Sequence, residues 1–215
     1  MKKVVLIIIS VVLLGALYFF ATNTYKDSKS KEAANIAKEN ANIFIREYSP
    51  TIGKADAKVS IVEFFDPECE TCRVFHGFVK NILDEYPDDV KLTLRYAPFH
   101  KNSKGIVRIL EAARLQGKYW QTLDLLYYYQ PRWGNHHNPR PELVWDYLPQ
   151  IEGLDIEKLK ADMHSEKITK IIEQDIADLE KLQVRKTPTF FVNERPLPSF
   201  GYKQLLNLIE EELAK

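Results

Sequence analysis

The only two cysteines in this 215-residue chain stand two residues apart, in Cys69-Glu70-Thr71-Cys72. Their surroundings restrict what the chain can fold into. The apolar run Ile61 to Phe65 leads into them with the β-branched and aromatic character of a buried strand. After them, Val74, Phe75, Phe78, Val79, Ile82 and Leu83 recur at helical spacing. The pair therefore falls where a strand turns into a helix, with Cys69 near the N-cap and Cys72 in the first turn.

A helix N-terminus presents unpaired N–H groups and the positive end of the helix dipole. A thiolate placed there is stabilised. Cys69 is thus expected to be the exposed, attacking sulfur. Cys72, one turn inward, is expected to be shielded and to resolve mixed disulfides, which is thiol–disulfide exchange. Other roles fit less well. A two-residue loop gives a structural disulfide little entropy to remove. A structural zinc site needs about four ligands, and Cys69, Cys72 and His76 supply three. Covalent haem attachment needs histidine directly after the second cysteine, where this chain has Arg73. Copper(I) accepts two thiolates, so a metallochaperone stays open, although the only methionines are Met1 and Met163.

A formal net charge of +0 gives no basic field for nucleic acid. The 45% hydrophobic and 28% charged content is that of a globular protein. Lys2 and Lys3 precede an uncharged apolar run from Val4 to Ala21. This is long for the core of a cleaved signal and just long enough to span a bilayer. Tyr18, Phe19 and Phe20 make a poor cleavage site. Residues 1–21 are therefore expected to be a membrane anchor, with a cleaved signal as the alternative. The lysines would stay in the cytoplasm and the rest would be exported, into a compartment where disulfides persist.

Residues 22–55 read as a helical connector, with Ala33, Ala37, Ala41, Phe44 and Tyr48 on one face and Pro50 and Gly53 ending it. It would pack on the domain, act as a spacer above the membrane, or drive self-association into a homo-oligomer. The first strand is expected at about Lys58 to Phe65. Glu63 lies inside it, and a carboxylate there is costly to bury unless paired or protonated. It would either be solvated or act as a buried proton acceptor for Cys72. A helix from about Glu70 to Tyr86 and a second strand, Val90 to Ala97, follow as a parallel crossover, and Arg95 in that strand would either neutralise Glu63 or be solvated. Residues 103 to about 178 read as helical, interrupted by a loop from Gln130 to Pro141 that carries His136 and His137. Neighbouring loop histidines rarely bind one ion. Sheet character returns at Thr189 to Val192, just after Thr187-Pro188, where a cis peptide is expected. An edge strand at Pro196 to Phe200 and a helix from Tyr202 to Leu213 close the chain.

Three segments together are similar to the DsbA-like branch of the thioredoxin superfamily. V-E-F-F-D-P-E-C-E-T-C resembles its strand and active-site motif, with an acid six residues ahead of the first cysteine. G-K-Y-W-Q-T-L-D-L-L-Y resembles the start of its inserted helical domain, and V-R-K-T-P-T-F-F-V-N its cis-proline loop. The resemblance covers about residues 55 to 212. It implies an α/β thioredoxin fold over 56–100 and 184–215, with an inserted helical domain over 101–183. It also implies roles: Cys69 as nucleophile, Cys72 as resolving cysteine, Glu63 as buried acid, Pro188 as the cis-proline facing the disulfide, and Thr187 lending backbone groups to a bound peptide strand. No cofactor beyond the Cys69–Cys72 disulfide is expected. Expected partners are unfolded or misoxidised exported proteins and a membrane redox partner, either a quinone-linked oxidase or a membrane reductant.

Two departures bear on the direction of reaction. Strongly oxidising members carry Pro-His between the cysteines, where this chain has Glu70-Thr71. Asp66, Glu68 and Glu70 bring three acids close to Cys69 and are expected to raise its pKa. Thr187 before the proline also resembles isomerase-type members. The expected potential lies between about −120 mV, as in DsbA, and about −270 mV, as in thioredoxin, which makes a mild oxidase or an isomerase/reductase. A binding or chaperone module that keeps the fold but does little redox work is the rival from another class.

Overall fold

The computed structural model describes residues 2–215, without the side chains of residues 2, 4–7 and 10. At its centre lies β2 (Val59–Phe65), joined through helix α2 (Glu70–Glu85) to β3 (Val90–Tyr96). β2 and β3 pair in parallel from Val59↔Val90 to Phe65↔Tyr96, as the strand–helix–strand pattern requires. Two short segments flank them: β1 (Thr51–Ile52) runs antiparallel to β3, and β4 (Thr189–Val192) runs antiparallel to β2. With β5 (Arg195–Pro196) the sheet order is β1-β3-β2-β4-β5. Gly53, at φ +107°, carries the chain past β3. A Cβ there would meet the Val90 carbonyl oxygen at 2.7 Å and Lys91 Cα at 2.8 Å, so only glycine fits.

Alternation along β2 splits the interior. Ile61 and Phe65 face one core with Phe75, Val79 and Tyr127, whereas Val62 and Phe64 face a second with Phe44, Leu179 and Phe191. Each such fully buried side chain contributes about 1.5–3 kcal/mol. Between β3 and β4 the chain forms the helices α3 (Ser103–Arg114), α4 (Tyr119–Trp133), α5 (Val144–Tyr147), α6 (Ile156–Asp162) and α7 (Glu166–Lys181). The terminal helix α8 (Tyr202–Leu213) packs on β4 and β2.

Several expectations are corrected. The N-terminal helix α1 runs unbroken over Lys2–Glu39 and stops there, well short of Pro50. The Asn40 side chain donates to the Ile36 carbonyl at 2.8 Å, and a short 3₁₀ turn follows at Ala41–Ile43. Phe44 is still buried, but as part of that turn. The expected anchor falls partly on residues 1, 2, 4–7 and 10, outside the described side chains; among the described residues no helix is long and apolar enough to cross a membrane. The edge strand expected over Pro196 to Phe200 is only Arg195–Pro196, since Pro196 and Pro198 have no N–H to extend a ladder. Helix α4 continues past Gln130 to Trp133 with Pro131 inside it. The Trp133 indole N–H donates to the Leu126 carbonyl at 2.8 Å and secures that last turn.

Arg95 does not neutralise Glu63. In the parallel register Glu63 lies beside Leu94 and Arg95 beside Phe64, so the two charges point to opposite faces. Arg95 is fully buried against α7, with Nη2 at 2.8 Å from Asp175 Oδ1 and 2.6 Å from Asp178 Oδ2. It also donates to the Phe44 carbonyl at 2.9 Å and to that of Ile43. Arg46 and Tyr48 hold the same two aspartates. This cluster fastens the segment after α1 to the back of the sheet.

Candidate active site

Cys69 is the N-cap of α2, with extended backbone (φ −73°, ψ 118°), and its sulfur accepts the Cys72 N–H at 3.3 Å. On its other side the sulfur meets the Thr187 carbonyl at 3.5 Å, and the Thr187–Pro188 peptide is cis. The structure thus brings four of the expected residues together: Cys69, Cys72, Thr187 and Pro188. Both cysteines are free thiols. Cys69, expected to be exposed, is instead buried, with 8% of its surface accessible, because the Thr187 carbonyl and the start of α2 close over it; Cys72 is wholly buried, as expected.

The surroundings drive the two sulfurs apart in acidity. Cys69 falls from an ordinary 9.0 to about 6, first through its hydrogen bond with the Cys72 thiol, against the opposing effect of burial. A side-chain hydrogen bond from Thr187 and the N–H groups of Cys72 and Thr71 lower it further. Cys72 is pushed well above 9.0, first by burial, then by its bond to Cys69 and the charges of Glu63 and Cys69. Glu63 lies on the same face of β2 as Ile61 and Phe65, in the core that holds Cys72. It is 2% exposed, and burial, with the Cys69 charge second, lifts its carboxyl from 4.5 to about 8.

The three acids near Cys69 do not act as expected. Glu70 is exposed, and Asp66 and Glu68 turn away to the start of α3. Asp66 Oδ2 accepts the backbone N–H groups of Phe99 (2.7 Å) and His100 (2.9 Å), and the Ser103 hydroxyl donates to Oδ1. Glu68 accepts from Asn102 N at 3.0 Å and from its side-chain amide at 2.8 Å. Donors thus surround both carboxylates, and the helix N–H groups and the Cys72 thiol set the acidity of Cys69.

Sequence reasoning missed Gln130. Its side-chain amide donates to the Pro67 carbonyl at 2.9 Å and the Cys69 carbonyl at 3.1 Å, and its oxygen accepts Arg73 Nε at 3.0 Å. The inserted helices thereby grip the active-site turn. A buried glutamine at an otherwise apolar position of α4 was the available signal. His76 is turned toward Asp124, 2.7 Å from its Oδ1, with its ring 5.0 Å from that of Tyr127. Among the described residues no three His, Cys, Asp or Glu side chains gather as a metal site. His136 and His137 are exposed.

A sheet with a parallel strand–helix–strand unit, a dithiol at the helix N-terminus and a cis-proline opposite it define a thioredoxin-like protein. The chain belongs to the thioredoxin family, whose model matches residues 46–211, and within it to the DsbA-like oxidoreductases. It is 27% identical over 173 residues to disulfide bond formation protein D of Bacillus subtilis, covering 76% of this chain and 77% of that one. It resembles the structure of a thioredoxin-like oxidoreductase from Silicibacter pomeroyi, with TM-score 0.69, 28% identity, and 82% and 98% of the two chains covered. It shares its fold with the thiol-disulfide exchange protein alpha-DsbA2 of Wolbachia pipientis, with TM-score 0.70, 16% identity, and 86% and 97% covered. A segment of 145 residues, 67% of the chain, is also 32% identical to the Na(+)/H(+) antiporter NhaA of Herminiimonas arsenicoxydans, and spans only 22% of that protein's length.

Proposed function

We propose that the chain is a thiol–disulfide oxidoreductase that works outside the cytoplasm on exported proteins. The observation that carries this reading is the asymmetry of the dithiol: an acidic Cys69 that keeps a small accessible surface and a fully buried, weakly acidic Cys72 behind it. In the oxidising direction a client thiolate attacks the Cys69 sulfur of the Cys69–Cys72 disulfide. The Cys69–Cys72 bond breaks, and Cys72 leaves as a thiolate that takes a proton from Glu63, which still holds one at neutral pH. A second client thiolate then attacks the client sulfur bound to Cys69. The client disulfide forms and Cys69 departs as a stabilised thiolate. In reverse, the Cys69 thiolate opens a client disulfide and joins one client sulfur; Glu63 first gives its proton to water, then takes that of Cys72, whose sulfur attacks Cys69, breaks the Cys69–client bond and releases the client thiolate.

Thr187, beside Pro188, offers its backbone to an extended client segment. The dithiol itself is the only redox group required. A Cys69 acidity of about 6 falls between those of thioredoxin, about 7, and DsbA, about 3.5. This favours a mild oxidase or an isomerase/reductase. A membrane oxidase or reductant at the outer face of the membrane would reset the dithiol. The test incubates the protein with reduced, unfolded ribonuclease in a glutathione buffer. Recovery of ribonuclease activity should exceed that with Cys69→Ser; equal recovery would refute the reading.

A further inference from the structure

An open cleft of about 920 Å³ lies between α2 and α4, and the exchange chemistry makes no use of it. Along α2, Arg73, Gly77, Lys80 and Asp84 follow Cys69 at helical spacing, so one face of the helix leads from the dithiol into the cleft. The two helices are fixed to each other along its floor. Arg73 Nε donates to Gln130 Oε1 at 3.0 Å, and Lys80 Nζ and His76 Nε2 meet the Asp124 carboxylate at 2.8 and 2.7 Å. Gly77 stands in the middle of α2, where glycine holds a helix less well than alanine. Nothing in the fold calls for a glycine there: a Cβ on Gly77 would have no neighbour within 4 Å beyond the backbone of its own helix. The missing side chain leaves room in the cleft.

We propose that the α2–α4 cleft is a second client-binding surface, which receives an extended segment of the unfolded protein whose cysteine joins Cys69. This inference rests on the exchange reading and adds a surface to the one at Thr187 and Pro188. From Arg73 to Asp84 the helix rises about 16 Å, the length of about five extended residues. The side-chain amides of Asn81 and Gln121 line the cleft and make no hydrogen bond among the described residues. Each can both donate and accept, as the peptide groups of an extended chain require. Tyr128, 77% exposed, stands at the edge and offers its ring to a client side chain. Arg73, Lys118, Asp84 and Glu152 also line the cleft and form no ion pair among the described residues. Two charges of each sign thus stay free, which suits a polypeptide of mixed charge and not a uniformly anionic polymer.

The test uses the full chain and ribonuclease that has been reduced, carboxymethylated and labelled with a fluorophore, so that no thiol is left to exchange. Binding is read by fluorescence anisotropy. Gly77→Trp fills the cleft, and Tyr128→Ala removes an exposed ring without touching the core. Each should weaken binding about fivefold, the effect of one well-placed contact. Gly77→Ala should raise the urea midpoint, because the fold does not need a glycine there. Wild-type affinity in both Gly77→Trp and Tyr128→Ala would overturn the proposal, as would failure of the wild type to bind the blocked ribonuclease. A lowered urea midpoint in Gly77→Ala would also overturn it, by showing that the glycine serves the fold. So would weakened binding that comes only with slowed iodoacetamide alkylation of Cys69, the mark of a disturbed active site. Failure of the wild type to oxidise unblocked ribonuclease would contradict the exchange reading alone, because the blocked probe binds without exchange.

Discussion

Replacing Glu63 by glutamine should stabilise the reduced protein, and the gain should depend on pH. In the fold the carboxyl keeps its proton up to about pH 8, whereas in an unfolded chain it ionises near 4.5. Between those values the unfolded state binds fewer protons, so stability falls as pH rises and levels off above 8. Each pH unit costs about 1.4 kcal/mol, so the penalty reaches about 3 kcal/mol at pH 7. Glutamine has nearly the same shape and no proton to lose. Glu63→Gln should therefore match the wild type at pH 4.5 and exceed it by about 3 kcal/mol at pH 7. The difference should shrink in the disulfide form, because the Cys69 thiolate, one source of the shift, is then absent. Urea unfolding of both proteins across this range, in reductant, measures the effect. A stability difference that is the same at pH 4.5 and pH 7 would show that Glu63 ionises in the fold as it does in the unfolded chain, and its role as a proton store for Cys72 would fall.

Three further outcomes follow from the same contacts. Arg95→Leu leaves Asp175 and Asp178 buried without their main counter-charge, and should cost about 3–5 kcal/mol in denaturant unfolding; a loss under 1 kcal/mol would show that Arg46 and Tyr48 suffice. Gln130→Leu strands the Pro67 and Cys69 carbonyls and should cost about 1–3 kcal/mol, with slower ribonuclease oxidation; an unchanged oxidation rate would mean that the grip of α4 on the turn is irrelevant to exchange. For Cys69 the folded value is depressed, so the stability it lends the reduced form is complete above pH 9 and lost as pH falls through about 6. Unfolding of Cys69→Ser against wild type, both reduced, should show that loss, and parallel pH curves would deny it.

The central unit was legible because its signals are local. Alternation and β-branching mark β2 and β3, the Pro87-Asp88-Asp89 turn separates α2 from β3, and the expected edges fall within a residue of those observed. The cis Thr187–Pro188 peptide was legible from a proline placed directly before a strand. What failed depends on register and on distant partners. Whether Glu63 and Arg95 share a face is decided by how β2 pairs with β3, which composition does not reveal. Asp175 and Asp178 lie on the buried side of α7 with Ile168, Ile171 and Leu179. Acids on an apolar stripe announce a buried cation, but not which one. Asp66 and Glu68 were misjudged for a related reason. Their distance from Cys69 along the chain was plain, but the donors of residues 99–103 that absorb their charge come from the far end of β3.

The account depends on Cys69 being the sulfur that joins to clients. The most direct measurement incubates the full-length Cys72→Ala variant with scrambled ribonuclease, then quenches with acid and maps the products by mass spectrometry. A mixed disulfide between Cys69 and ribonuclease, absent when Cys69 is also replaced by serine, is the predicted result. If no ribonuclease is found joined to Cys69 while its thiol remains free to react with iodoacetamide, the account is contradicted.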